Sequence, residues 1–314
     1  MEGTSRRLFV SNMGEDSISV IDIENNKEYK KIHLSPLEGA HSKKKLLVGP
    51  HSIKVDTKKE SIYSVNCYDN SVSIIDLKSY TLIDSFFAGI HPKDIVFSID
   101  GEYAYITNCD SDSISIIDMS NLRLIAQVPV GMMPHGIAIS PDGEYIYTAD
   151  MGSGSISIIE TWSHCRISSI KVGECPMDIV TSKDGRFLYV VCSFFGDGRL
   201  GAVAIISTKN YKTIKFIEVG NTPAQVALSD DNCYLYVTNI GSGDLYIIEL
   251  DSFATHHIIK TGNMPRGIAE GEDAIYIANS GSNSISVIQN DKPNFSIIKN
   301  IEAGIEPTSM IYVG

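Results

Sequence analysis

A proline recurs along this chain at Pro50, Pro92, Pro134, Pro176, Pro223, Pro265 and Pro307, at spacings of 42, 42, 42, 47, 42 and 42 residues. An aromatic residue recurs with it, at Phe9, Tyr63, Tyr105, Tyr147, Tyr189, Tyr236 and Tyr276. Seven copies of one unit mean that each unit is a supersecondary element that buries its apolar faces only against its neighbours. The copy from Gly131 onward shows what the element is. Ile137 to Ile139 alternates and stops at Ser140-Pro141-Asp142-Gly143. Tyr145 to Ala149 is apolar and β-branched, Ile156 to Ile159 follows a Gly/Ser turn, and Ile167 to Val172 closes at Gly173. Four short runs bounded by hairpin signals predict four antiparallel strands per unit. No apolar period of 3.6 residues leaves room for the helices of an α/β barrel.

The expected fold is therefore all-β: a seven-bladed β-propeller of four-stranded antiparallel blades. The first copy begins in mid-unit at Arg7, and the last ends on the single strand after Gly304-Ile305-Glu306-Pro307. Each supplies what the other lacks. The C-terminal strand is expected to become the inner strand of the N-terminal blade, built from about residues 7–34 plus 305–314, which leaves no open edge at the seam. One unbroken period over 314 residues predicts a single domain.

The runs Tyr105-Ile106-Thr107-Asn108, Tyr236-Val237-Thr238-Asn239 and Tyr276-Ile277-Ala278-Asn279 are each followed by a turn and a Ser-Ile-Ser-Ile-Ile-Asp-like strand. In this the repeat resembles the YVTN (YncE-like) family of seven-bladed β-propellers over essentially the whole chain. The resemblance implies the fold, but that family is functionally mixed. Many of its members are exported, whereas the N-terminus here leads into a strand with no apolar stretch of signal length, so a cytoplasmic location is expected. No membrane span is visible. A formal net charge of −12 disfavours an extended nucleic-acid face. The six cysteines form no Cys-x-x-Cys pair and read as reduced thiols, several of them core residues.

With the four strands of a blade labelled A to D from the inside outward, the D–A and B–C loops share one face and the A–B turns the other. The A–B turns are short and uniform, with no cluster of chemical groups. The two insertions, Ser35 to Leu47 (with Lys43, Lys44 and Lys45) and Ser193 to Gly201 (with Phe194, Phe195 and Arg199), both belong to the D–A/B–C face, where growing loops mark a binding surface. The position after each repeat proline varies on that face: His51, Lys93, His135, Met177, Ala224, Arg266 and Thr308. Its cations would suit a small anionic ligand at the channel mouth. His51, Lys93, His135, Asp150, Arg199 and Arg266 are the expected ligand-binding residues.

A second ring follows strand B, where an Asn recurs (Asp150 in one blade, Cys192 in another) and is expected to hold the turn through local backbone bonds. Sulfur follows it at Met13, Cys67, Cys109 and Met151. With His135 nearby, Cys67 and Cys109 are weak candidates for a soft metal such as Cu or Zn, although no local ligand spacing of the zinc-finger kind exists. No metal or other cofactor is the primary expectation.

No nucleophile elbow, phosphate-binding glycine loop or His-Glu-x-x-His motif is present. Two function classes follow. The first is a non-enzymatic scaffold that binds a small anion, peptide or protein at the channel mouth. The second is a hydrolase or lyase at the same mouth, since some seven-bladed propellers of similar repeat are lactonases or streptogramin-type lyases. The second class requires a histidine and a carboxylate within hydrogen-bond reach, and contact of Asp150 or Asp110 with His135 would favour it. Oligomeric state is not readable from the sequence.

Overall fold

The computed structural model describes residues 6–35, 47–194 and 198–314. Among these residues the chain forms seven four-stranded antiparallel sheets, the blades of a β-propeller, and its only helical segment is one 3₁₀ turn, Cys109–Ser111. It divides into two compact units, Met1–Phe87 with Ile259–Gly314, and Ala88–Ile258.

The first unit holds blades 1, 2 and 7. Blade 1 contains β1 (Arg7–Asn12), β2 (Ser17–Asp22) and β3 (Lys27–His33), and blade 2 runs β4 (Pro50–Asp56), β5 (Ser61–Asn66), β6 (Ser71–Asp76) and β7 (Thr81–Phe87). The second unit begins with blade 3, which is β8 (Pro92–Phe97), β9 (Tyr103–Asn108), β10 (Ser113–Asp118) and β11 (Arg123–Pro129). Blade 4 is β12 (Pro134–Ile139), β13 (Tyr145–Asp150), β14 (Ser155–Glu160) and β15 (Cys165–Lys171). Blade 5 follows as β16 (Pro176–Thr181), β17 (Phe187–Cys192), β18 (Leu200–Ser207) and β19 (Lys212–Asn221). Blade 6 is β20 (Pro223–Leu228), β21 (Tyr234–Asn239), β22 (Asp244–Glu249) and β23 (Ala254–Lys260). Blade 7, back in the first unit, is β24 (Pro265–Glu270), β25 (Ala274–Asn279), β26 (Ser284–Asp291) and β27 (Asn294–Glu302), and β28 (Pro307–Val313) ends the chain.

Strand β28 pairs antiparallel with β1, from Arg7 opposite Val313 to Ser11 opposite Ser309, and completes blade 1 in the order β28-β1-β2-β3. The seam expected from the two half-copies is thus closed by a six-pair ladder.

Burial follows strand position. The B and C strands are packed on both faces, so β9, β10, β13 and β14 each carry five consecutive buried residues instead of an alternating pattern. The D strands are outermost. β15 is exposed at every position but one and carries Arg166 and Lys171, the charged side chains that keep an edge strand from pairing with other chains. The cores lie between consecutive blades. Ile156, Ile158 and Ala149 of blade 4 pack with Leu188, Val190 and Ile206 of blade 5, and Leu8, Val10 and Met310 of blade 1 pack with Tyr276, Ala278 and Ile285 of blade 7. Burying such side chains contributes about 1.5–3 kcal/mol each, which is why the repeat folds only as an array.

Candidate functional site

Two features fix the D–A and B–C turns of every blade. The residue before each repeat proline is held at positive φ: Gly49 at 67°, His91 at 53°, Met133 at 53°, Cys175 at 43°, Thr222 at 53°, Met264 at 52° and Glu306 at 53°. Proline disfavours the right-handed helical region for its predecessor, and six of these seven are not glycine, so each carries about 1–3 kcal/mol of backbone strain. The carbonyl of the same residue accepts the N–H of the residue directly after strand B: Cys109 to His91 at 3.0 Å, Met151 to Met133 at 3.1 Å, Ile240 to Thr222 at 2.9 Å, and likewise in the other four blades. These main-chain bonds hold the two turns of each blade together.

The recurrent Asn bonds both backbone and side chains: Asn279 Oδ1 accepts Gly262 N at 3.0 Å and Asn239 Nδ2 donates to the Val237 carbonyl at 3.4 Å, while the serines of strand C supply most of the other partners. Asn66 Nδ2 donates to Ser71 and Ser73 Oγ, both at 2.8 Å, and Asn12 and Asn279 reach the two serines of their own strand C in the same way. The glycine three places before the proline lies on this side chain. A Cβ on Gly89 would meet Asn108 Oδ1 at 2.2 Å, and one on Gly131 would meet Asp150 Oδ2 at 2.5 Å, which explains the Gly-x-x-Pro spacing sterically.

Asp150 belongs to this network. It has no exposed surface and accepts from Thr148 Oγ1 at 2.7 Å, Ser157 Oγ at 2.7 Å and Ser155 Oγ at 3.4 Å. The carboxylate expected beside His135 is thus inside its own blade, because it occupies the Asn position and finds the same hydroxyl partners there. Burial pushes its pKa up against the hydrogen bonds that lower it. The folded chain therefore holds this proton to higher pH than the unfolded chain does. Stability associated with protonated Asp150 is complete below the unfolded carboxyl range and is lost as pH rises through the folded value. Asp150→Asn is expected to stabilise the protein by about 1 kcal/mol at neutral pH, with the gain shrinking toward pH 4. Melting temperatures of both proteins across that pH range check this, and equal or lower stability of the variant at pH 7 contradicts it.

In the first unit, His51 is half-buried directly after Pro50. Arg266 is half-buried too. Burial pushes its guanidinium pKa down, while Glu306 and Tyr68 push it back up, so the arginine faces an acidic neighbour already. In the second unit, Arg199 bridges Glu174 at 3.1 Å and its guanidinium lies 4.4 Å over the Phe194 ring. The expected rim residues Lys43, Lys44, Lys45 and Phe195 lie outside the described residues. His135 is half-buried, and its backbone carbonyl accepts Thr107 Oγ1 at 2.6 Å.

The histidine that meets a carboxylate is one the sequence reading passed over. His91 Nδ1 lies 3.1 Å from Asp110 Oδ1, with the two side chains 30% and 55% exposed. Asp110, one of the two carboxylates whose contact with His135 would have favoured an enzyme, meets His91 instead: it follows Cys109 on the 3₁₀ turn, which the main-chain bonds Cys109 N to His91 O and Asp110 N to Ile90 O bring against the D–A turn of the same blade. Cys109 Sγ lies within 4.8 Å of the ligand atoms of both. The sulfur candidate thus gathers with His91 and Asp110 of its own blade, while Cys67 is a buried residue of the first unit. Burial pushes the Cys109 thiol up, and Lys93, half-buried at the start of β8, acts in the opposite sense. A partly exposed imidazole, a carboxylate on one of its nitrogens and a lysine two residues away make a constellation suited to moving a proton beside an anion.

Grooves of about 430 and 450 Å³ open on the same unit. The first lies beside the A–B turns of blades 4 and 5, expected to be featureless, and includes Lys183, Lys209, Tyr147 and Tyr211. The second includes Lys171, Glu174 and Cys175. Neither is lined by His91 or Asp110.

Residues 1–164 match the family described as "Lactonase, 7-bladed beta-propeller". The chain belongs to that family. The matched span contains His91, Lys93, Cys109 and Asp110. Solved structures resemble this lactonase-family chain in fold. A putative 6-phosphogluconolactonase from Bacteroides fragilis is 18% identical with a TM-score of 0.78, covering 100% of this chain and 99% of that one. The periplasmic gluconolactonase of Pseudomonas aeruginosa is 18% identical with a TM-score of 0.77, covering 98% and 99%. Hydrazine synthase of Kuenenia stuttgartiensis is 20% identical with a TM-score of 0.77, covering 88% and 92%. No curated protein matches the chain. Among the described residues no helix is long and apolar enough to cross a membrane.

Proposed function

We propose that this protein is a hydrolase that opens a small anionic lactone, in place of the non-enzymatic scaffold that the sequence alone favours. The observation that carries the reading is the His91–Asp110 contact at 3.1 Å, set inside the span that matches the lactonase family. The repeat's likeness to the YVTN family bears on fold and adds no chemistry. The site is the joined D–A and B–C turns of blade 3. Three of the six cysteines are buried as small core residues, which suits a reducing compartment, and we take the cytoplasm as the place of action.

In this reading Asp110 holds the imidazole of His91 through Nδ1, leaving Nε2 to accept a proton from water. The water oxygen bonds to the lactone carbonyl carbon, and the carbonyl oxygen takes the negative charge. When the tetrahedral intermediate collapses, the ring C–O bond breaks and the imidazolium returns the proton to the departing alkoxide. The product is an open-chain hydroxy acid, and His91 is regenerated. Lys93 sits where it attracts a carboxylate or phosphate on the substrate, and an exposed site that concentrates anions can do so on a chain of net charge −12 because the field is local.

Hydrolysis followed by proton release, with a sugar lactone bearing a phosphate against its neutral counterpart, tests the proposal. The anionic lactone is expected to be preferred. Lys93→Ala is expected to raise KM for it by about 5- to 30-fold, equivalent to about 1–2 kcal/mol of lost charge-assisted contact, while leaving the neutral lactone nearly unchanged. No turnover of either lactone above the rate in buffer would sink the proposal.

A further inference from the structure

The two joined turns that carry His91 and Asp110 also carry a thiol, Cys109. We propose that His91, Cys109 and Asp110 form a binding site for one zinc-class divalent cation, with its fourth position open to water.

The chemistry of the donors comes first. Imidazole nitrogen, thiolate sulfur and carboxylate oxygen are the three ligand types zinc takes, and three protein ligands with one open position is the arrangement of its reactive sites. The three ligand atoms lie within 4.8 Å of one another. Zinc bonds of about 2.0–2.3 Å in a tetrahedron place ligand atoms about 3.3–3.8 Å apart. The ligand atoms therefore need to draw together by about 1 Å to hold the ion.

The scaffold is already arranged for it. Cys109 N donates to His91 O at 3.0 Å and Asp110 N to Ile90 O at 3.4 Å, which fixes the two turns against each other. Asp112, at φ 49°, ends the 3₁₀ turn and accepts Met133 N at 2.8 Å, tying the loop to blade 4. Such supports hold ligands in place before the metal arrives. All seven blades repeat the backbone bond, yet only blade 3 places ligand types at all three positions. In blade 6 the same three positions hold Thr222, Ile240 and Gly241.

Charge also fits. A thiolate and a carboxylate together neutralise a divalent cation. Cys109 is only 3% exposed, so the sulfur is shielded from bulk oxidants while His91 and Asp110 face outward.

The inference rests on the hydrolase reading only for its consequence. A ligated His91 has no lone pair for the proton of water, so the zinc-loaded protein is expected to lose hydrolysis and to recover it with a chelator. The test is a zinc titration of the full chain, stripped of metal, against a chromophoric chelator. Wild type is expected to take one equivalent, and Cys109→Ser to bind at least tenfold more weakly while keeping the metal-free hydrolysis rate. Cobalt should give a thiolate charge-transfer band in wild type that Cys109→Ser lacks. Absence of binding at micromolar zinc, or equal affinity in Cys109→Ser, overturns the site. Zinc that binds without slowing hydrolysis overturns the shared use of His91. A protein that binds zinc but never hydrolyses a lactone refutes the hydrolase and leaves the metal site standing.

Discussion

Deleting residues 305–314 abolishes the folded state. Strand β28 is the A strand of blade 1, and its ladder with β1 runs from Arg7 to Asn12. Met310 is 5% exposed in the core that joins Leu8 and Val10 to Tyr276 and Ala278. Thr308 Oγ1 reaches the carbonyl of Pro50 at 3.1 Å, and the Pro307 carbonyl accepts Ser280 Oγ, so the strand ties blades 2 and 7 to blade 1. Its removal takes away buried apolar area, a ladder of hydrogen bonds and the cover over β1. The expected loss is on the order of 5–10 kcal/mol, comparable with the whole stability of an ordinary domain. The bared edge of β1, whose residues after Arg7 are all buried, would pair with other chains. Circular dichroism melting and size-exclusion chromatography of the truncated protein check this. A monomer with an unchanged melting temperature contradicts it.

If the protein is the proposed lactone hydrolase, replacing His91 is expected to remove about 10²- to 10⁴-fold from kcat, the contribution of a positioned general base. The choice of replacement matters. His91 sits at φ 53°, where alanine adds strain of its own, whereas asparagine tolerates the left-handed region and cannot take the proton. His91→Asn is therefore the informative variant. Asp110→Asn, which leaves a partner for Nδ1 but removes its charge, is expected to fall between wild type and His91→Asn. KM should change little in either, because neither residue is assigned to substrate binding. Unchanged kcat in His91→Asn, in a protein with an unaltered melting temperature, removes His91 from the chemistry.

The fold was legible because its signal is redundant. Seven prolines and seven aromatics report the same period, and the half-copies at Arg7 and Pro307 leave one way to complete a blade. The site was legible only in part. The position after each proline, where His51, Lys93, His135 and Arg266 vary in charge, is the conspicuous one in the sequence, but the histidine in contact with a carboxylate, His91, stands directly before a proline. Nothing in a one-dimensional string shows that a non-glycine residue is held at positive φ, or that its carbonyl captures the N–H of Cys109. A signal was nevertheless there. Blade 3 combines His91 at the pre-proline position with Cys109-Asp110 directly after Asn108, and no sibling blade has that combination. Asp150 misled for the opposite reason. A lone carboxylate among asparagines looks functional, but serines five and seven residues further on, Ser155 and Ser157, already mark it as a member of the internal network.

The main-chain clasp between the D–A and B–C turns has an evolutionary corollary. Because an N–H and a carbonyl do the joining, the clasp is indifferent to what the adjoining side chains are: His91 with Cys109, Thr222 with Ile240 and Met264 with Ser280 are all joined alike. Side chains beside the clasp can therefore differ while the bond that joins the turns is kept. A lineage built this way can exchange its chemistry blade by blade while its architecture stays recognisable, and this chain shares a TM-score of 0.77 to 0.78 with proteins that match it at only 18–20% of residues.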